Sequence, residues 1–213
     1  LETSHGHPES LVAGIDEVGL APLAGPVVAC AIVMPPGETI DDVRDSKALS
    51  RRQRERLEPI IRRAALAYGI GAASAREVER LNPRAASHLA MARALAALQR
   101  RYRIAVALSL VDGSPAQDLD SLIGPHRTVV RGDASVYPIA CASIVAKVLR
   151  DRLMERLAER YPGYGWETNA GYPAAAHVAA LMRLGVTPHH RRSYAPVKDA
   201  VRERGGELRS SNA

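Results

Sequence analysis

Five short apolar, β-rich segments, set apart by stretches of helical periodicity, decide what this chain can fold into. They run from Leu11 to Asp16, Pro26 to Met34, Ala67 to Ala73, Ile104 to Val111 and Thr128 to Arg131. Pro35-Pro36-Gly37 turns the chain after the second, and Asp112-Gly113 closes the fourth. Ser50 can cap a helix to about Ala65, with Arg and Glu at i, i+4 spacing on its exposed side. Pro83 suits the first turn of a helix whose Ala/Leu/Met stripe reaches about Arg101. A longer helical pattern runs from about Ile139 to Arg160 and stops at Tyr161-Pro162-Gly163, and another spans Ala174 to Leu184 before Gly185. Three strands, then helices alternating with two strands, then helices, predict an α/β domain: a mixed five-stranded sheet flanked by helices, with a C-terminal helical lobe. Residues 1–9 read as a flexible tail, 10–200 as the domain with its lobe from about 155, and 201–213 as a polar tail.

A length of 213 residues allows one domain with a real core, and no internal repeat is visible. No apolar run approaches membrane-spanning length, and Pro26 to Met34 lacks the basic flank of a signal peptide. Cys30 and Cys141 each sit in a small apolar run, as free buried thiols do, which suits a reducing cytoplasm. The net charge of +6 is uneven: residues 1–139 carry 17 Lys/Arg against 16 Asp/Glu, and residues 140–213 carry 12 against 7. The basic final third also holds Tyr161, Tyr164, Trp166, Tyr172 and Tyr194. Cations interleaved with rings suit a phosphate backbone and stacked sugars or bases. A solvated basic surface with tyrosines used in packing explains the same composition.

The acidic residues carry more. Asp16-Glu17 ends the first apolar strand, Asp112 the fourth, and Asp133 follows the fifth in Arg131-Gly132-Asp133. Neighbouring side chains on a strand point to opposite faces, so Asp16 and Glu17 share a site only if the strand ends or twists, which Gly19 permits. Three acidic strand ends can gather into an oxygen-ligand site for hard divalent cations, and two such metals support phosphodiester hydrolysis. Any one of these aspartates, taken alone, could equally cap a turn.

Six ordered blocks resemble bacterial ribonuclease HII, the type 2 ribonuclease H family. They are Gly14-Ile15-Asp16-Glu17-Val18-Gly19 with Pro22 to Val28; Asp45-Ser46-Lys47-Ala48-Leu49-Ser50; Val111-Asp112-Gly113; Gly132-Asp133; Ala142 to Val148 with Arg150-Asp151-Arg152; and Tyr161-Pro162, Gly171-Tyr172, His177, Pro188-His189-His190-Arg191, Ser193 and Pro196-Val197. The resemblance implies a ribonuclease H fold and an Mg²⁺- or Mn²⁺-dependent endonuclease that cuts the RNA strand of RNA/DNA hybrids, leaving a 5′-phosphate and a 3′-hydroxyl. It carries over Asp16, Glu17, Asp112 and Asp133 as catalytic, metal-binding carboxylates. It also places Gly19, Ser46, Lys47, Arg131, Ser143, Lys147 and Tyr172 against nucleic acid, with the Tyr172 ring on a sugar at the RNA–DNA junction. The implied partners are the hybrid duplex and DNA containing ribonucleotides, bound by a cytoplasmic monomer with no membrane role. The other reading is a hybrid-binding protein of this fold with weakened cleavage or lost junction specificity.

Three positions depart from the family pattern. Gly19-Leu20-Ala21 stands for Gly-Arg-Gly, Arg131-Gly132-Asp133 for Lys-Gly-Asp, and Asn169-Ala170-Gly171-Tyr172 for His-Lys-Gly-Tyr. The first predicts poorer discrimination of a single embedded ribonucleotide, because Leu20 supplies no cation and Ala21 adds a Cβ. His189-His190, beside Arg191 and Arg192, is expected to face phosphate or solvent.

Overall fold

The computed structural model describes residues 10–37, 39–43, 46–114 and 119–210, with residues 204–210 described by backbone alone. The tail assigned to residues 1–9 and Asp45 of the second sequence block lie outside the described residues. The chain forms two compact units. One comprises residues up to Val18, Val28–Ala72 and Ser87–Leu149, and the other Gly19–Val27, Ala73–Ala86 and everything from Arg150.

The first unit is built on the expected five-stranded mixed sheet. Its strands are β1 (Val12–Val18), β2 (Val27–Val33), β3 (Ala67–Ala73), β4 (Leu108–Asp112) and β5 (His126–Val129), in the order β3-β2-β1-β4-β5. β1 pairs antiparallel with β2 and parallel with β4, which pairs parallel with β5. Every residue of β2 is buried, so the continuous apolar run is a strand covered on both faces. α1 (Arg51–Ala64) begins at a capping box: Ser50 Oγ accepts the Gln53 N–H, and the Gln53 side chain accepts the Ser50 N–H. Arg51 pairs with Glu55 on its exposed side, as the i, i+4 spacing predicts. Leu57 and Ile61 turn inward to meet Cys30 and Ile32 of β2 and Cys141, Ile144 and Val145 of α6 (Tyr137–Arg160) in one core cluster. Both cysteines are free and buried. Gly14 lets α6 approach β1: a Cβ there would stand 2.3 Å from the Pro138 carbonyl carbon.

α3 (Pro83–Tyr102) follows the predicted Ala/Leu/Met stripe, while α2 (Ala75–Leu81) was not expected. Its signal was a second capping box, Ser74 with Glu77. Two further helices of the first unit, α4 (Asp120–Ile123) and α5 (Gly132–Ser135), are single turns.

The second unit starts earlier than the lobe expected from about 155, at Arg150, and takes in the two segments from the first half of the chain. It contains α7 (Trp166–Asn169), α8 (Ala175–Leu184) and α9 (Ala195–Ser210). α9 takes in residues 201–210 of the segment expected as a polar tail. Trp166 is fully buried among Leu23, Met154, Tyr164, Leu181 and Val197. Tyr164 and Trp166 therefore take the packing role rather than stacking on nucleic acid. Of His189-His190, expected to face phosphate or solvent, His190 is only 2% exposed, and the neighbouring Arg191 is wholly buried. Among the described residues, no helix is long and apolar enough to cross a membrane.

Candidate active site

In the first unit, parallel pairing of β1 with β4 sets their carboxyl ends side by side. That pairing, with the turn after β5, gathers Asp16, Asp112 and Asp133, each offering a carboxylate oxygen, all within 4.8 Å of one another. Asp16 and Asp133 are 5% and 3% exposed, and Asp112 is half-buried. Glu17 stands outside this trio. β1 does not end at Asp16, since its ladder with β2 continues to Val18↔Val28, and strand alternation turns neighbouring side chains apart. Glu17 nevertheless feels the fields of Asp112 and Asp133.

Backbone and hydroxyl groups fix the carboxylates. Asp112 Oδ1 accepts the Gly132 N–H at 2.7 Å, and Asp16 Oδ1 accepts the Glu17 N–H at 2.7 Å. The buried Ser46 and Ser143 hydroxyls lie 2.7 Å apart, and Ser143 bonds the Asp16 side chain. In the ionised form Asp16 only accepts, and in that form Ser143 donates to it and Ser46 donates to Ser143. Lys47 Nζ, on a side chain 78% exposed, bonds Asp133 Oδ2 at 2.9 Å. The loop carrying Ser46 and Lys47 is clamped by Arg54, which donates to the carbonyls of Ser46 and Leu49. Arg54 was legible only as an exposed helix cation. Arg131 is exposed and adopts a left-handed conformation at φ 56°, opening the turn that presents Gly132 and Asp133. Lys147 is half-buried one turn beyond Ser143 on α6.

Burial and repulsion between neighbours work against three of these acids, Asp16, Glu17 and Asp112. Burial first, then Glu17, raises Asp16 well above the usual carboxylate range. Burial and Asp112 push Glu17 up to about 7, although Lys47 opposes them. Asp112 is raised by burial and by Asp133, against the Gly132 and Asp133 N–H groups. A cluster of oxygen donors in which protons are retained to relieve repulsion has the donor set and the charge deficit that suit a hard divalent cation.

The remaining expected contacts, Gly19 and Tyr172, belong to the second unit. Gly19 has φ 103°, and a Cβ there would meet Arg150 Nε at 2.3 Å, so neither backbone nor space admits another residue. Ala21, by contrast, is not among the described positions with positive φ. Tyr172 is 37% exposed, with its backbone held on both sides. Its N–H reaches the Asn169 carbonyl at 2.9 Å, and its carbonyl accepts from the Ala174 N–H at 2.8 Å and from His177 Nδ1 at 2.9 Å.

Sequence reasoning gave no role to two buried arginines of this unit. Arg150 donates to the carbonyls of Pro26, Ala170 and Ala24 at 3.0, 2.9 and 3.2 Å. Arg191 donates to those of Gly19, Leu20 and Gly25 at 2.6, 2.7 and 2.9 Å. Both sat in sequence blocks rich in cations, where an interior arginine looks the same as one facing phosphate.

The family model described as ribonuclease HII matches residues 13–197. A ribonuclease HII of Paracoccus denitrificans is 52% identical over 187 residues, covering 87% of this chain and 85% of that protein. One from Gluconobacter oxydans is 48% identical over 205 residues, covering 94% of each. The crystal structure of ribonuclease H2 from Pyrococcus horikoshii OT3 superposes with a TM-score of 0.73 at 26% identity, covering 89% of this chain and 96% of that one. With this match over nearly its whole described length, the chain belongs to the ribonuclease HII family and is an endoribonuclease acting on RNA/DNA hybrids.

Proposed function

We propose that this endonuclease hydrolyses the RNA strand through divalent metal held by Asp16, Asp112 and Asp133, with Glu17 completing the set. The observation that carries the reading is the trio of acidic side chains within 4.8 Å of one another, two of them almost wholly buried. Such a cluster costs stability unless a cation joins it, and it repels a polyanion unless metal intervenes. Bound Mg²⁺ or Mn²⁺ supplies an activated water and stabilises the leaving 3′-oxygen.

The protein's own groups prepare that chemistry. Ser143, with Ser46 behind it, keeps Asp16 in place, and the Gly132 N–H keeps Asp112 turned inward. Lys47 holds Asp133 while its exposed stem leaves it available to a phosphate of the cut strand. Arg131, Lys147 and Ser143 are read as contacts to the substrate strand, Gly19 as part of the loop that meets the ribose, and Tyr172 as a ring packed on the sugar at an RNA–DNA junction. The reading extends to a cytoplasmic monomer that also cuts at ribonucleotides embedded in DNA. A pure hybrid-binding protein has no use for a buried acidic cluster, which disfavours the alternative.

The test is calorimetric titration of Mg²⁺ and of Mn²⁺ into the metal-free protein and into Asp16→Asn, with hybrid cleavage measured in parallel. Binding and cleavage lost together support the reading. Cleavage that survives chelation and the substitution overturns it.

A further inference from the structure

Four donors converge from inside the second unit on the loop between Gly19 and Gly25. Arg191 Nη2 bonds the Gly19 carbonyl at 2.6 Å, Arg191 Nη1 bonds the Leu20 carbonyl at 2.7 Å, and the Tyr194 hydroxyl bonds that same Leu20 carbonyl at 2.6 Å. The fourth, Arg191 Nε, reaches the Gly25 carbonyl at 3.2 Å. Arg191 is wholly buried, so this is interior architecture and not a surface contact.

Peptide geometry turns these bonds into a statement about the outer side of the loop. In a trans peptide the C=O and the following N–H point in opposite directions. Drawing the Gly19 carbonyl inward therefore faces the Leu20 N–H outward, and drawing the Leu20 carbonyl inward does the same for the Ala21 N–H. Leu20 and Ala21 are both exposed, and among the described residues neither amide has a partner. Two successive outward N–H groups form a small cradle for an oxygen acceptor, whether phosphate oxygen or ribose hydroxyl. Nothing in that cradle depends on the side chain at 20, and Ala21 has no positive φ that would demand glycine.

We propose that Arg191 and Tyr194 are positioning residues for substrate discrimination: they set the Leu20–Ala21 peptides outward, so that the loop reads a single ribonucleotide through backbone amides despite lacking the arginine and second glycine of the family pattern. This rests on the reading of the loop as a ribose contact given above. It reverses the expectation drawn from Leu20 and Ala21 alone. A ribose flanked by DNA offers one register, so a cradle turned by one hydrogen bond costs that substrate most. Continuous RNA offers neighbouring registers that dilute the loss.

The experiment compares kcat/KM of the full chain on an all-RNA/DNA duplex and on a DNA duplex with one ribonucleotide. The variants are Tyr194→Phe, which removes one donor from the Leu20 carbonyl, and Arg191→Lys, which keeps the charge and loses the fork. Wild type is expected to cut both duplexes. Tyr194→Phe should lose about tenfold on the single-ribonucleotide duplex and a few-fold at most on the hybrid, the scale of one lost hydrogen bond. Arg191→Lys should shift the ratio the same way and further; should it fail to fold, Tyr194→Phe still decides. A merely structural role would lower both substrates together, so an unchanged ratio overturns the proposal. So does a wild type that cuts the hybrid and ignores the single ribonucleotide. A wild type that cuts neither duplex overturns the metal-dependent reading itself, a result distinct from both.

Discussion

Asp112 is pulled two ways, and the balance makes it a sharp probe of the site. Its Oδ1 accepts the Gly132 N–H at 2.7 Å, which favours the ionised form, while burial and Asp133 favour the neutral one. Asp112→Asn keeps the shape and removes one negative charge. We expect hybrid cleavage to fall about a hundredfold or more at saturating metal, the scale of losing a group that stabilises the transition state. Hybrid binding should be unchanged or tighter, because repulsion of phosphate is relieved; a quenched-flow assay with a parallel filter-binding titration separates the two. Glu17 gives a second handle. Its pKa, raised from the ordinary glutamate value to about 7, means that the metal-free folded protein binds a proton that the unfolded chain has released. Stability of the metal-free protein should therefore decline as pH rises through that interval, and the gain in melting temperature on adding Mg²⁺ should grow with pH up to about 7. Thermal denaturation with and without metal, between about pH 5 and pH 8, checks the sign; a metal gain independent of pH contradicts it. The trio of aspartates was legible in the sequence because each ends or follows a β-rich run. The set-apart position of Glu17 was foreshadowed by strand alternation, and only the register of β1 with β2 resolves it.

At the scale of elements, the α7–α8 region is tied by a chain of neutral imidazoles. His190 Nδ1 accepts the Thr187 N–H at 2.9 Å, so its proton sits on Nε2 and is donated to His177 Nε2 at 3.1 Å. That same His177 nitrogen accepts from Trp166 Nε1 at 3.0 Å, which leaves His177 Nδ1–H for the Tyr172 carbonyl at 2.9 Å. Another proton on either ring would set donor against donor. Burial first, then His177, pushes His190 down to about 3. Below the ordinary histidine pKa the unfolded chain gains a proton that the folded one refuses. The stability that this histidine pair contributes should thus be lost as pH falls from about 6.5 toward 3, opposite in sign to the Glu17 contribution over the pH range they share. Fluorescence of the single tryptophan, Trp166, during denaturant titration reads this directly. His190→Gln should be less stable at neutral pH and show a shallower acid slope; equal slopes would show that the carboxylates alone set the acid limit. The sequence showed α8 here but neither α7 nor this chain of imidazoles. Adjacent histidines and arginines carry no mark of burial, and partners 13 residues apart, as His177 and His190 are, obey no local periodicity.

Across the whole molecule, a net charge of +6 concentrated in residues 140–213 predicts that hybrid affinity falls linearly in log–log terms with salt, by several counterions' worth. A slope near zero in fluorescence anisotropy titrations would show that the charge plays no part. Cutting the chain after Tyr161 is not a clean way to ask the same question. It deletes Arg191, and so strips the partners from carbonyls at Gly19, Leu20 and Gly25, and it exposes the pocket that Trp166 fills. The sequence foretold the sheet and the helices α1, α3, α6 and α8, because periodicity and caps are local, but not α9. It gave no sign that Gly19–Val27 and Ala73–Ala86 join the unit that holds residues from Arg150, because those segments look like ordinary loop and helix. Arg191 bonds a carbonyl 172 residues upstream. On the ribosome, where chains emerge at ~5–20 residues per second, the loop after Gly19 is made well before Arg191 and must wait for it before these carbonyls gain their donors. A nascent chain can thus form its acidic strands well before it can set the loop between Gly19 and Gly25.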